Sequence, residues 1–415
     1  MRRLLIIGLS LTCAIVFPAS RAGASNSAAS SLHGTVTFWN AYSPDEQKVI
    51  ETQVIPAFEK KYPGVSVKNL TIPYNGMFDK LITAAAGGTG PDVVRSDIIW
   101  VPQLANINAL QPLDKYSWFP SVQKQVFKGN LFTNYFKGHY YGLPLDTNTR
   151  VLFYSKPMFK AAGISGAPAT TQQFAADCAK IKAALGSGKY CYAEGGFGGW
   201  NLLPWIWTYG GSLTNKSYTK ASGYMNSKAT LAAVNFLLSL YKKGELSPNI
   251  LGGGIGTWDG FGKEYAMILD GPWTVAGLLN NQYPSSTYGA ALVPKGPGGS
   301  HSVVGGEDIV MMRQSRNKAA DAAFVQFMLS KQAQTMMGKI GQMPVLASLV
   351  RSSAFPGYYS VFQKQLKTAE PRTPSPAWAR IDDVFSTTLE NVFRGNAPTS
   401  TALNSAAHTI DGLLK

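Results

Sequence analysis

The most constraining feature of the chain is an alternation of strand and helix patterns that starts at Gly34. Thr35-Val36-Thr37-Phe38-Trp39 reads as a strand. Ser43-Pro44-Asp45-Glu46 then forms a capping box with Pro at the first helical position, which satisfies orphan amides and fixes the helix start. That helix is expected to reach Tyr62, kinked at Pro56 and stopped by Pro63-Gly64. Val65-Ser66-Val67 opens a second strand, residues 75–86 a second helix, and Pro91-Asp92-Val93-Val94 a third strand. Strands alternating with helices pair in parallel and bury both sheet faces, so the chain is α/β. Further helices are expected at 170–185 (capped by Thr170 with Gln173), 227–243 (between Ser227 and Gly244), 317–337 and 377–394. The chain has 415 residues, whereas single cores stop growing at roughly 250–300 residues, so two lobes are expected.

The N-terminus reads as a targeting segment. Arg2-Arg3 precede an apolar stretch from Leu4 to Phe17, and Ala22-Gly23-Ala24 supplies an A-x-A site before Ser25. This is a secretory signal peptide, too short to span a membrane. Cleavage is expected after Ala24, leaving the Ser/Ala-rich residues 25–33 as a flexible leader. Lipidation at Cys13 is a rival route, but Ser10-Leu11-Thr12 matches poorly the residues that precede a lipidated cysteine. The protein is therefore expected outside the cytoplasm, periplasmic or secreted. Cys178 and Cys191 remain after cleavage, and a disulfide is expected in an oxidising compartment. His33, His139, His301 and His408 are scattered, with no HExxH, so no metal centre is expected.

The net charge is +15, from 38 Lys and Arg against 23 Asp and Glu, yet charged residues make up only 15% of the chain. The excess reflects scarce carboxylates, and the longest basic clusters are pairs such as Lys60-Lys61, which argues against nucleic-acid binding. Adaptation of an exported surface to an acidic milieu accounts for it better. The glycine-rich runs Gly195–Gly199, Gly252–Gly256 and Pro294–Gly299 match neither GxGxxG nor GxxxxGK[ST]. They are expected to be surface loops or interlobe connections, not turns from a strand into a capped helix. There is no GxSxG elbow. Two opposed carboxylates drawn from Asp97, Asp146, Asp259, Asp270 and Glu307 would be enough for glycoside hydrolysis, so a secreted hydrolase stands as an alternative.

Several tryptophans sit beside small polar residues: Trp39-Asn40, Trp205-Ile206-Trp207, Trp258-Asp259 and Gly271-Pro272-Trp273. Taken singly, each reads as a core aromatic. As a set they suit a sugar, because an indole face covers the apolar face of a pyranose while Asp, Asn and Arg pair with its hydroxyls. Trp100, Trp118, Trp200, Trp205 and Trp378 are read mainly as packing.

The order of short motifs adds to this. Phe38-Trp39-Asn40 is followed by Gly90-Pro91-Asp92-Val93-Val94 with Asp97, then by Tyr141-Gly142-Leu143-Pro144 with Asp146, Asn148 and Leu152-Phe153-Tyr154. Phe261-Gly262-Lys263, Ala266-Met267, Gly271-Pro272-Trp273, Gly305-Gly306-Glu307 and Pro371-Arg372-Thr373-Pro374 complete the series. In this order and spacing the chain resembles family 1 of the extracellular solute-binding proteins, which deliver carbohydrates to ABC importers. It looks most like the maltose/maltodextrin and multiple-sugar branch. The resemblance implies a periplasmic-binding-protein-like fold: two α/β lobes, a hinge crossed three times, near Leu143, Val303 and Met343, and a ligand cleft between the lobes. Residues 34–143 with 303–343 would form the N-terminal lobe, and 144–302 with 344–415 the C-terminal lobe. Trp39, Asn40 and Asp97 would contribute to the site from the first lobe, and Asp146, Asn148 and Arg150 from just past the first crossing. Trp207, Trp258, Asp259 and Trp273 would line the second lobe, Gly306-Glu307 the hinge side, and Arg372 the returning segment. The implied protein is a monomeric receptor, not an enzyme, with no cofactor. Its partners would be a carbohydrate, most simply maltose, maltodextrin or a related α-glucoside, and the permease subunits of a membrane transporter. Another polar solute, such as a polyol or glycerol phosphate, is the alternative within the binding class.

Overall fold

The computed structural model describes residues 32–275, 284–349 and 352–415. The expected signal segment, its expected cleavage site and Cys13 lie outside them. The chain opens with β1 (Gly34–Asn40), α1 (Pro44–Val49), a π-helical turn at Ile50–Val54, and α2 (Ile55–Lys61). There follow β2 (Val65–Thr71), α3 (Tyr74–Gly87), β3 (Val93–Asp97), β4 (Gly142–Pro144), β5 (Asp146–Thr149) and β6 (Val151–Ser155). The middle of the chain holds α4 (Thr171–Leu185), β7 (Tyr190–Ala193), α5 (Gly199–Thr208), α6 (Lys228–Lys242), α7 (Thr257–Gly260), β8 (Tyr265–Asp270) and β9 (Tyr288–Ala291). Last come β10 (Ser302–Gly305), β11 (Glu307–Met311), α8 (Lys318–Met328), α9 (Lys331–Gly338), β12 (Met343–Pro344), β13 (Ala369–Glu370), α10 (Trp378–Phe393) and α11 (Thr399–Leu413).

Two larger sheets carry the lobes. The first has the order β2-β1-β3-β11-β4. β1 runs parallel to β2 and β3, and β11 returns antiparallel with Glu307 opposite Asp97. Alternation along β1 sends Val36 and Phe38 to one core, where Phe38 meets Phe324 edge-on, and Trp39 to the other, with Met77, Leu81 and Trp100. The second sheet has the order β9-β6-β8-β7 and packs on a core containing Trp205, Trp207, Phe174 and Trp378. A third, small sheet, β12-β5-β10-β13, lies between them in the chain path. β5 lies between β4 and β6, and β10 leads directly into β11, so these two strands carry the chain from one sheet to the other.

The local signals behave as their chemistry requires. Glu46 Oε2 accepts from the Ser43 N–H at 2.8 Å, and Thr170 and Ser227 accept from the amides three residues on. Cys178 on α4 and Cys191 on β7 are disulfide-bonded. Several expectations need correction. The helix at 317–337 is two helices, because Ser330 accepts from the Ala333 N–H and restarts the chain as a new N-terminus. Pro56 needs no sharp kink: it sits in the first turn of α2, and the π-helical turn before it absorbs the missing donor. The run Gly195–Gly199 does lead a strand, β7, into a helix, α5, and the Gly199 N–H is taken by the Asp382 carboxylate at 2.6 Å. Finally, Val345, Leu346 and Leu349 still pack in the first-lobe core, so the chain leaves that lobe later than the expected change at Met343.

Candidate functional site

The site is built around Gly305 and Gly306, where β10 passes into β11. Gly306 has φ +130°, and a Cβ there would fall 2.5 Å from the Asp146 carbonyl oxygen, so only glycine lets β5 approach this closely. A Cβ at Gly305 would fall 2.0 Å from Asn148 Oδ1 and 2.6 Å from the ring edge of Trp200. Asn148 and Trp200 therefore converge over this bare backbone. Asn148 is buried, and its Oδ1 has no hydrogen-bond partner.

Aromatic rings gather here. Trp200, half-buried in the first turn of α5, lies 5.9 Å from Trp273 with the planes 31° apart. Trp273 folds back over Gly271, whose Cα leaves room for the ring. The Arg372 guanidinium stands 5.5 Å from the Trp200 ring. It also pairs with Asp97 Oδ1 at 3.1 Å, which joins the returning segment to the first lobe. Asp97, at the end of β3, also accepts from the Tyr74 hydroxyl at 2.7 Å. The Tyr74 ring remains 47% exposed and stacks on Trp100. Tyr74 can hold this pose because Asn75 and Gly76 leave helical geometry, Gly76 at φ +89°.

Next to Asp97 lies an ionic cluster. Arg95 Nη2 is 3.2 Å from Asp146 Oδ2 and 2.8 Å from Glu307 Oε2. Burial holds the Glu307 carboxyl well above the usual carboxylate range; Arg95 pulls it back down, and the neighbouring Asp146 and Asp97 raise it again.

Asp97, Asp146, Asn148, Trp273, Gly306, Glu307 and Arg372 thus meet where the lobes meet. Other expected residues do not join them. Trp39 is buried in the first-lobe core, under Lys80. Asn40 is fully buried and bonds Asn69, Thr71 and the Tyr42 amide, so it ties strand ends together. Trp207 is 6% exposed in the second-lobe core. Trp258 is exposed on α7 with its Nε1 donating to Asp270, and Asp259 beside it is exposed.

Arg150 is neither a surface charge nor a free ligand contact. Pro204 removes the amide that would bond the Trp200 carbonyl in α5, and Arg150 Nη1 supplies the donor instead, at 3.2 Å. It also serves the Asn201 and Leu269 carbonyls and pairs with Glu194 at 2.8 Å. Arg150 therefore supports the turn that carries Trp200. Trp200 and Tyr74 are the site aromatics that sequence reasoning missed. The Gly-Gly run before Trp200 was the available signal, since it marks a close backbone approach.

A family model for the bacterial extracellular solute-binding proteins matches residues 42–335. The chain belongs to this family. Such solute-binding proteins are extracytoplasmic receptors, not enzymes. Among curated relatives, a putative binding protein of Brucella abortus is 26% identical over 383 residues, covering 88% of this chain and 89% of its own. Among solved structures, the GacH receptor of Streptomyces glaucescens superimposes with a TM-score of 0.83 at 23% identity, covering 92% of this chain and 99% of that one. An ABC-transporter solute-binding protein from Thermotoga lettingae, bound with α-D-tagatose, gives 0.81 at 25% identity, covering 92% and 100%. The fold of this solute-binding protein is the two-lobed α/β periplasmic-binding-protein fold.

Proposed function

We propose that this protein is the receptor of an ABC sugar importer. It takes a di- or oligosaccharide of the maltose, maltodextrin or related α-glucoside class into the cleft between its lobes and passes it to the permease, as a monomer and without catalysing a reaction. Export by cleavage after Ala24 belongs to the same reading.

The observation that carries it is charge pairing beside two neighbouring indoles. Arg95, Arg150 and Arg372 each stand within 3.2 Å of a carboxylate. A phosphate would have to displace one of those carboxylates to gain a guanidinium. A neutral polyhydroxyl needs no such exchange. The Trp200–Trp273 pair offers its apolar face a platform, and the unpartnered Asn148 Oδ1 accepts from a ligand hydroxyl. Named ligands among similar proteins support the class: acarbose, tagatose and galacto-oligosaccharide, with sn-glycerol 3-phosphate as the rival. Sugar bridging both lobes favours the closed state only by its differential contacts with the two states.

A thermal-shift panel of maltose, maltotriose, galacto-oligosaccharide, tagatose, ribitol and sn-glycerol 3-phosphate tests this. Ligand at 100 times Kd stabilises by about 2.7 kcal/mol, an easily read shift. A shift with an α-glucoside is expected. A shift with glycerol 3-phosphate alone would overturn the sugar reading, and sustained cleavage of an oligosaccharide would replace the receptor with a hydrolase.

A further inference from the structure

One guanidinium touches three separate chain segments at the junction of the sheets. Arg95 Nη2 lies 3.2 Å from Asp146 Oδ2 on β5, 2.8 Å from Glu307 Oε2 at the start of β11, and 2.9 Å from Gln342 Oε1 just before β12. A terminal guanidinium nitrogen carries two hydrogens, so three acceptors compete for them. Glu307 is the one left out: its Oε2 is buried and receives no aligned hydrogen. The backbone closes the same junction, since the Glu307 N–H donates to Asp146 Oδ1 at 3.2 Å.

The charges around Glu307 come from several elements. β3 contributes Arg95 and Asp97, the latter already paired with Arg372 and Tyr74. β5 contributes Asp146. Asp308, next on its own strand, turns to the opposite face and is bonded by Asn134 and Thr133. Behind Arg95 lie the Tyr42 ring, at 4.4 Å, and Glu46, which accepts from Gln342 Nε2. Glu46, Asp146 and Glu307 therefore surround one buried cation. A proton on Glu307 lowers the excess from two negative charges to one and supplies the donor that the cluster lacks.

We propose that the Arg95–Asp146–Glu307 cluster is a proton-dependent clasp on the hinge. Protonated Glu307 donates to Asp146 and holds the first and second connecting segments together; ionised Glu307 repels Asp146 and favours the open protein. Because burial raises the Glu307 pKa where the cluster is assembled, that contribution is full at acid pH and is lost as pH rises through the assembled-cluster value. The clasp acts whichever solute occupies the cleft.

The test uses ligand-free full-length protein, so its outcome is independent of the sugar assignment. Spin labels at Lys68→Cys on the first lobe and Lys242→Cys on the second, both exposed positions, report the interlobe distance by pulsed electron resonance. Between pH 5 and 8 the open-to-closed ratio is expected to rise, by up to about tenfold per pH unit. Glu307→Gln should hold the acid distribution throughout, and Asp146→Asn, a second variant should the first not fold, should flatten the response. Carbon-13 NMR of the wild-type glutamate carboxyls should find one titrating above the normal range. Identical distances from pH 5 to 8 would overturn the clasp, as would a pH response that survives in either variant.

Discussion

Replacing Asp321 by Asn should stabilise the protein at neutral and alkaline pH and do little at pH 4. Asp321 lies early in α8, fully buried, with Ser315 Oγ donating to Oδ2 and no partner for Oδ1. Burial lifts its pKa from 3.8 to about 7, with Ser315 opposing and Asp92 adding to the rise. An acid raised in the fold favours folding only at low pH. Between pH 4 and 7 the unfolded chain gives up the proton first, so stability falls as pH rises. A shift of this size corresponds to about 4 kcal/mol at about 1.36 kcal/mol per unit, and relaxation around the charged form brings it to about 2–4 kcal/mol. An amide keeps an acceptor for Ser315 and replaces the acid proton with an N–H donor. Urea unfolding at pH 4, 6 and 8 should show the wild type losing stability across that range and the variant losing less, with a gap of about 2–4 kcal/mol at pH 8. Equal destabilisation of the variant at all three values would refute the reasoning. The same slope in the wild type would also support the acidic milieu suggested by the scarcity of carboxylates.

Trp200→Ala should weaken sugar binding by roughly five- to 150-fold, by removing a stacking face worth about 1–3 kcal/mol, with little change in folding. Trp207→Phe, seven residues on in the same helix, should cost stability and leave affinity unchanged; calorimetry and urea unfolding separate the two. Gly306→Ala should destabilise by roughly 1–3 kcal/mol or more, since alanine at φ +130° also meets the Asp146 carbonyl at 2.5 Å; a melt unchanged from wild type would contradict the close approach described here.

Local signals are legible in the sequence. Thr170 with Gln173, and Ser227 with Gly244, mark helix ends because a cap is a contact across a few residues. Ser330 carries the same chemistry, but it sits inside a continuous run of helix formers, so the break was hidden. Arg150 misled for a different reason. Asp146, Asn148 and Arg150 share one face by strand alternation, yet β5 ends at Thr149 and β6 starts at Val151, so Arg150 sits at a joint and turns under α5. Trp200 and Trp207 lie on nearly the same side of α5, but about 10 Å apart along its axis. Only the Trp200 end reaches Gly305, while Trp207 sinks into the core.

By itself the sequence determined that the chain is α/β, that it divides into two lobes, where its capped helices begin, and the family to which it belongs. These follow from hydrophobic period, capping chemistry and motif order, all of which act over short stretches of chain. Which tryptophans gather over Gly305, and which arginine supports the turn beneath them, were decided only by tertiary structure. Arg372 meets Asp97 across 275 residues, and Arg95 meets Gln342 across 247. Pairings of that range leave no local pattern, because each partner is an ordinary polar residue until the folded sheets bring the two together at the hinge.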